Sequence, residues 1–390
     1  MFGSSPSAPK HPGPAPRAFG SPLPASLRRS MRLVLSASLV AGLATTTAIA
    51  DVTIRVAAQP VTNPIHVYVK VDSEEELGPE NFSVRVLSPN SDELADLGNP
   101  SQGNFSLPPA LHEKQKVSVM FTMDYSNSTR EQQSFMQDGA SEFIKAMTKG
   151  DYAGVIKFNY EDKTDITAEI PNIQVLTDPP FIPIDDENPL LTGPISMTFD
   201  GSGSPIVGAI AKAVKQFQNH KEDGRKAIIL VSDGGDNQLQ APGDASQVVR
   251  DANELEVSIF SIGVGNTSQL APNRGNVTGE KLLTEFALQT YGSYFDAKDN
   301  EKIVEKYLEV ADLLQNEYQL IFPYAVEECK TYDIEVSVEE FNFSDTVRVS
   351  SRCTSSTGGS SGSGGGGAFG PLGLIAGLSL LALRRRLTMA

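Results

Sequence analysis

Residues 116–128 read KVSVMFTMDYSNS. Val117, Val119, Met120, Phe121 and Met123 form an almost unbroken, β-branch-rich apolar run, the pattern of a strand buried on both faces. The run stops at Asp124, and Ser126 and Ser128 follow at the second and fourth positions after it. A strand leaving a sheet edge there delivers three oxygen-bearing side chains into one loop. Short oxygen ligands on a tight turn suit a hard divalent cation such as Mg²⁺, and open α/β sheets bind ligands at the carboxyl ends of their strands. The same residues also read as a polar loop in which Ser126 or Ser128 caps a helix starting near Thr129.

Downstream, helical and strand patterns alternate. Residues 131–147 place Phe135, Ala140, Phe143, Ile144 and Met147 on one helical face, and 205–217 do the same with Ile206, Ile210, Ala213, Val214 and Phe217. Strands are predicted at 152–158, 166–170, 227–231 (AIILV), 257–262 and near Tyr294, with further helices at 245–252, 280–290 and 302–316. Strands separated by helices of this length are βαβ units, so 112–322 read as one α/β domain with a doubly wound, mostly parallel sheet. A proline- and acid-rich insertion interrupts it between Leu176 and Gly203. Flanking it are a small β-rich unit at 51–110, with alternating runs at 52–56, 65–71 and 82–86, and a β hairpin at 323–354 whose strands fall at 332–338 and 343–349. Each is too small to hold a core alone, which favours their joining in one unit.

The ends of the 390-residue chain are compositionally distinct. Residues 1–50 read as leader and signal peptide: Arg28, Arg29 and Arg32 as the basic flank, an apolar stretch at 33–43, and Ala48-Ile49-Ala50 as the cleavage site. Mature protein is then expected from Asp51. Residues 355–367 are a Ser/Gly-rich linker, and 368–390 read as a transmembrane tail, an uncharged run followed by Arg384, Arg385 and Arg386. Five basic residues lie in 1–50, three at 384–386 and no acids in either, leaving 24 basic against 48 acidic residues between them. A body this acidic excludes nucleic acid as a partner. Cys329 and Cys353 are the two cysteines, expected to pair as a disulfide in an oxidising compartment.

Two more polar clusters fall where a site at the sheet edge needs them: Ser204-Pro205 after Gly201-Ser202-Gly203, at the start of the 205–217 helix, and Ser232-Asp233-Gly234 just after the 227–231 strand. With Asp124, Ser126 and Ser128 these resemble the metal-ion-dependent adhesion site of von Willebrand factor type A (VWA) domains, in the order of that family. The resemblance runs on through SIFSIGVG and YGSYFDAKD to EYQLIFPY. It implies a Rossmann-like VWA fold and an Mg²⁺ (or Mn²⁺) ion held by Asp124, Ser126, Ser128, Ser204 and Asp233. The partner it implies is a protein ligand offering an Asp or Glu carboxylate to the ion. Serine at 204 in place of the family's threonine keeps the hydroxyl and loses the methyl that restricts its rotamer.

The tail resembles the bacterial GlyGly-CTERM sorting signal. That implies removal of the helix by a rhomboid-like protease and an exported protein at the cell surface or outer envelope of a Gram-negative bacterium, membrane-tethered at least transiently. An enzyme is not expected: there is no phosphate-cradling Gly-x-x-x-x-Gly-Lys-Ser/Thr loop, and none of the four histidines lies near Ser126, Ser128 or Ser204 in sequence. The alternatives to metal-dependent adhesion are a structural envelope protein with a non-functional metal site and, behind it, a metal-dependent hydrolase.

Overall fold

The computed structural model describes residues 52–58, 64–71, 76–111, 115–160, 171–185, 189–197, 201–236, 245–271, 277–327 and 330–350. The leader, the linker and the tail lie outside these residues, as do the strand predicted at 166–170 and both Cys329 and Cys353.

The strands are β1 (Val52–Ala58), β2 (Ile65–Val71), β3 (Phe82–Leu87), β4 (Glu93–Gly98), β5 (Phe105–Ser106), β6 (Lys116–Asp124), β7 (Tyr152–Tyr160), β8 (Pro171–Val175), β9 (Ile182–Pro183), β10 (Gly224–Ser232), β11 (Val257–Val264), β12 (Leu270–Ala271), β13 (Val277–Thr278), β14 (Tyr294–Ala297), β15 (Glu317–Phe322), β16 (Thr331–Val338) and β17 (Phe343–Ser350). The α-helices are α1 (Gln133–Ala146), α2 (Pro189–Ser196), α3 (Ile206–Phe217), α4 (Ala245–Glu254), α5 (Gly279–Leu288) and α6 (Asn300–Asn316).

The central sheet runs β14-β11-β10-β6-β7-β8, with β9 also on β7. Its four inner pairings are parallel and the β7 pairings with β8 and β9 antiparallel. Strand alternation sends side chains to opposite faces. Val117, Val119, Phe121 and Met123 of β6 join Ala227, Ile229 and Val231 of β10 in a core closed by α1, α2 and α6. Met120, Ile228 and Leu230 point the other way, into a second core closed by α3, α4 and α5. This two-faced burial is why both strands are nearly continuous in apolar residues, and it makes the sheet doubly wound as expected.

Two four-stranded antiparallel sheets, β1-β2-β15-β5 and β17-β16-β3-β4, enclose a third core. Strand β16 pairs with β3, so the C-terminal hairpin adds to the N-terminal strands. Sequence order placed 317–322 with the α/β region, whereas β15 pairs with β2 and β5. The insertion is more regular than its composition suggests, since it carries β9 and α2, the latter with Pro194 inside it.

Among the described residues no helix is long and apolar enough to cross a membrane. The longest, α6, has 17 residues, about 25 Å at 1.5 Å per residue, and carries Glu301, Lys302, Glu305, Lys306 and Glu309. The transmembrane helix, the membrane as a partner and a tethered location are therefore withdrawn. The disulfide is withdrawn with them: no disulfide is found among the described residues, and neither cysteine lies among them.

One close approach sets the seating of α1 on α6. A Cβ on Gly139 would stand 2.2 Å from Tyr307 Cδ2, and Tyr307 itself is fully buried, its ring 6.0 Å from that of Phe121. Gly139→Ala is expected to lower stability by about 1–3 kcal/mol through overpacking, despite alanine's better helix propensity. Urea unfolding measures this, and pairing it with Tyr307→Leu should restore most of the loss.

Candidate functional site

Strands β6 and β10 end side by side at the carboxyl edge of the central sheet. Asp124 closes β6 with its side chain fully buried, and Ser232 closes β10. Three loops meet on Asp124. The Ser126 amide donates to Asp124 Oδ1 at 3.0 Å, folding the first loop back on its own aspartate. The Ser204 hydroxyl donates to the same oxygen at 3.1 Å, and the Ser232 hydroxyl donates to Oδ2 at 2.5 Å. Ser126 Oγ and Ser128 Oγ are 3.1 Å apart. Asp233 is buried next to Ser232 and accepts the Gly235 amide on Oδ1 at 2.9 Å.

Local sequence explains the placement. Thr129 is buried and donates to the carbonyls of Asp124 and Ser126, so the residue after the second serine fastens the loop. Arg130 is exposed, and its Nη2 reaches Asn127 Oδ1 at 3.3 Å. The 201–204 loop is laced to the end of β7 by Tyr160 N–H to Gly203 O and Ser202 N–H to Tyr160 O. Gly201 is needed there, because a Cβ would lie 2.4 Å from the Asn159 side chain. Gly234 adopts φ +78°, and a Cβ on it would meet Gly279 Cα at 2.3 Å, so the Asp233-Gly234 turn can rest against the start of α5 only as glycine.

The electrostatics follow from burial. Desolvation, then the nearby Asp233 carboxylate, raise the Asp124 carboxyl, while hydrogen bonds from Ser232 and Ser126 partly offset this. Two buried carboxylates with hydroxyls around them form an all-oxygen set, chemically suited to a hard cation. Among the described residues, however, no group of three or more His, Cys, Asp or Glu side chains gathers to hold a metal. The donors here are two carboxylates, with serine hydroxyls that are themselves hydrogen-bonded to the protein.

All five residues expected from the sequence thus fall at this edge, but Ser232, which makes the shortest contact to Asp124, was not among them. Its place directly before Asp233 at the strand end was the available signal. Two other polar side chains also escaped the sequence. Fully buried Lys157 on β7 donates to the Ile195 carbonyl at 2.7 Å and to the Met197 carbonyl, with Nζ 4.2 Å above the Tyr125 ring. It pins the end of α2 beside the loop that carries the site. His220 Nε2 lies 2.7 Å from Ser118 Oγ, giving one of the serines a histidine neighbour, but near the start of β6, away from Asp124.

Residues 184–308 match the family model for the von Willebrand factor type A domain, and the chain contains such a domain. No curated protein matches the chain. Among solved structures, it is similar to a von Willebrand factor type A protein from Catenulispora acidiphila at 11% identity, over 78% of this chain and 74% of that one, with a TM-score of 0.43. It is also similar to the pilus adhesin SpaC from Lactobacillus rhamnosus GG at 11% identity, over 76% of this chain, with a TM-score of 0.38. This chain spans about half of that adhesin, 47% of its length. An uncharacterized membrane spanning protein from Vibrio fischeri matches at 20% identity, over 51% of this chain and 99% of that one, with a TM-score of 0.21.

Burial pushes the Lys157 ammonium down to about 7 from its ordinary 10.5. Between those values the unfolded chain binds the extra proton, so the Lys157 contribution to stability rises with pH through this window. Urea unfolding at pH 7.5, 8.5 and 9.5 is expected to show a positive slope of order 1 kcal/mol per pH unit, relative to Lys157→Met as the reference.

Proposed function

We propose that this protein is a non-catalytic structural module built on its VWA domain, in which the Asp124 cluster acts as an internal hydrogen-bonded node joining three loops. The carrying observation is that both oxygens of Asp124 are engaged by protein donors: Oδ1 by Ser126 N–H and Ser204 Oγ–H, Oδ2 by Ser232 Oγ–H. With no larger metal-binding cluster among the described residues, this favours the structural reading over metal-dependent adhesion. A non-enzymatic role is supported by the site's chemistry. The Ser204 and Ser232 hydroxyls bond directly to the Asp124 carboxylate, which fixes them in place, whereas a serine nucleophile is activated by an imidazole base.

A second reading keeps Mg²⁺ (or Mn²⁺), and Asp233 favours it. Its buried carboxylate takes one backbone N–H and faces Asp124 across a desolvated edge, a like-charge arrangement that a cation would relieve. Asp124, Asp233 and the hydroxyls of Ser126, Ser128 and Ser204 would hold the ion. The ion would supply a coordination position open to an oxygen from a partner.

Thermal unfolding of the full chain in EDTA and in millimolar MgCl₂ or MnCl₂ separates the two. The structural reading expects Tm values within about 1 °C of each other, and Asp124→Ala to cost about 1–3 kcal/mol in EDTA by stranding the Ser204 and Ser232 hydroxyls. A metal-induced rise of about 5 °C or more that Asp124→Ala abolishes would replace it with the metal-dependent reading.

A further inference from the structure

Helix α2 packs against α1 and β7, on the face of the central sheet that α6 also covers. It is a weak helix by its own sequence, eight residues with Gly193 and Pro194 inside it. Among its described side chains Leu191 and Ile195 are buried, while Thr192 and Ser196 are exposed, as is Met197 just beyond the helix. So little apolar burial, set against the ordering of a whole helix, places α2 at the low-stability end of the domain.

Its polar contacts gather at the carboxyl end. Lys157 Nζ donates to the Ile195 and Met197 carbonyls, and Gln137 Nε2 of α1 donates to the Ser196 carbonyl at 3.3 Å. A helix end leaves such carbonyls without partners of their own. The same two side chains hold Tyr125, the residue after Asp124. Gln137 Nε2 donates to its hydroxyl at 2.9 Å, and Lys157 Nζ stands 4.2 Å above its ring. Lys157 and Gln137 therefore join α2 to the loop that carries the Asp124 cluster.

The two protonation states of Lys157 fit this place unequally. A neutral amine keeps two N–H donors, one for each carbonyl, whereas the ammonium gives up its hydration on burial. Burial alone pushes Lys157 down to about 7, and the groups packed around it are uncharged. Neither α2 nor β8 carries an ionisable side chain. From α1 comes Gln137, while Asp138 is exposed and Glu142 is paired with Lys145. Burial pushes the Tyr125 hydroxyl up to about 12, and that of Tyr307 on α6 is raised by the same cause. Lifting α2 returns Lys157 to water and to its ordinary 10.5, so opening takes up a proton between those values.

We propose that α2 is a pH-sensitive strap, closed over Lys157 and Tyr125 in alkaline solution and lifting from α1 and β7 as the pH falls toward neutrality. Its release withdraws the two side chains that hold Tyr125 and so loosens the loop bearing Asp124. The strap works whether or not the Asp124 edge takes an ion. In a purely structural arrangement α2 would leave the sheet only when the whole domain unfolds.

Hydrogen exchange of the full chain in EDTA, read by mass spectrometry at pH 6, 7, 8 and 9 and corrected for intrinsic exchange, compares α2 with β10. The expected result is faster exchange from α2 than from β10, with little dependence on urea up to about 1 M, as a local opening shows. The α2 opening constant should be about tenfold or more larger at pH 7 than at pH 9, and change less than about threefold between pH 6 and 7. Lys157→Met should flatten this dependence. Gln137→Ala removes the Ser196 contact and leaves Lys157 in place, so it should raise opening at every pH with the slope kept. Exchange from α2 at the rate and with the urea dependence of β10 overturns the assignment, as does an opening constant that stays level between pH 7 and 9. Both readings come from the unaltered protein, so they stand even where a variant fails to fold.

Discussion

A carboxylate out of reach of water must find its donors within the protein, and Asp124 finds them in three separate parts of the chain. Its own loop supplies the Ser126 amide, the segment preceding α3 supplies Ser204, and the end of β10 supplies Ser232. This need fixes where the loops at the carboxyl edge can run. Gly201 lets one loop press against Asn159, and Gly234 lets another lie against Gly279. Thr129 fastens the third from beneath.

The sheet beneath makes the convergence possible. Strand β6 lies between β10 and β7 with parallel neighbours on both sides, so its carboxyl end opens onto the loops that follow each of them. Phe121 packs edge-on against Phe143 of α1 with centroids 5.2 Å apart, and Met120 faces the opposite core. The strand is held from both faces, which leaves Asp124 little freedom to withdraw from its donors. At the opposite end of the sheet Arg55 and Arg225 perform a comparable task, Arg55 pairing with Glu317 at the start of β15 and Arg225 donating to the Leu314 carbonyl at the end of α6.

Much of this was legible because it is local. The two-faced burial of 116–124, the helical periodicity of 133–146 and 206–217, and aspartate or serine at strand ends are patterns within single segments. Tertiary choices were not legible. The run Glu317–Phe322 falls at the end of the span read as α/β, and its pairing with β2 depends on residues some 250 positions away. Lys157 looks like the solvent-facing member of an alternating strand until α2 covers it, and α2 carries an internal proline that argues against a helix. Ser232 belongs to the cluster that marks Asp233, but its own bond to Asp124 exists only because β6 and β10 end side by side. The histidine beside Ser118 likewise depends on a turn 102 residues away.

The measurement closest to the central claim is a high-resolution crystal structure of the protein grown in EDTA. The account predicts Ser204 Oγ and Ser232 Oγ each within about 3.2 Å of an Asp124 carboxylate oxygen, the range of a formed hydrogen bond. Either hydroxyl standing beyond about 4 Å, with Asp124 turned to water, would contradict it.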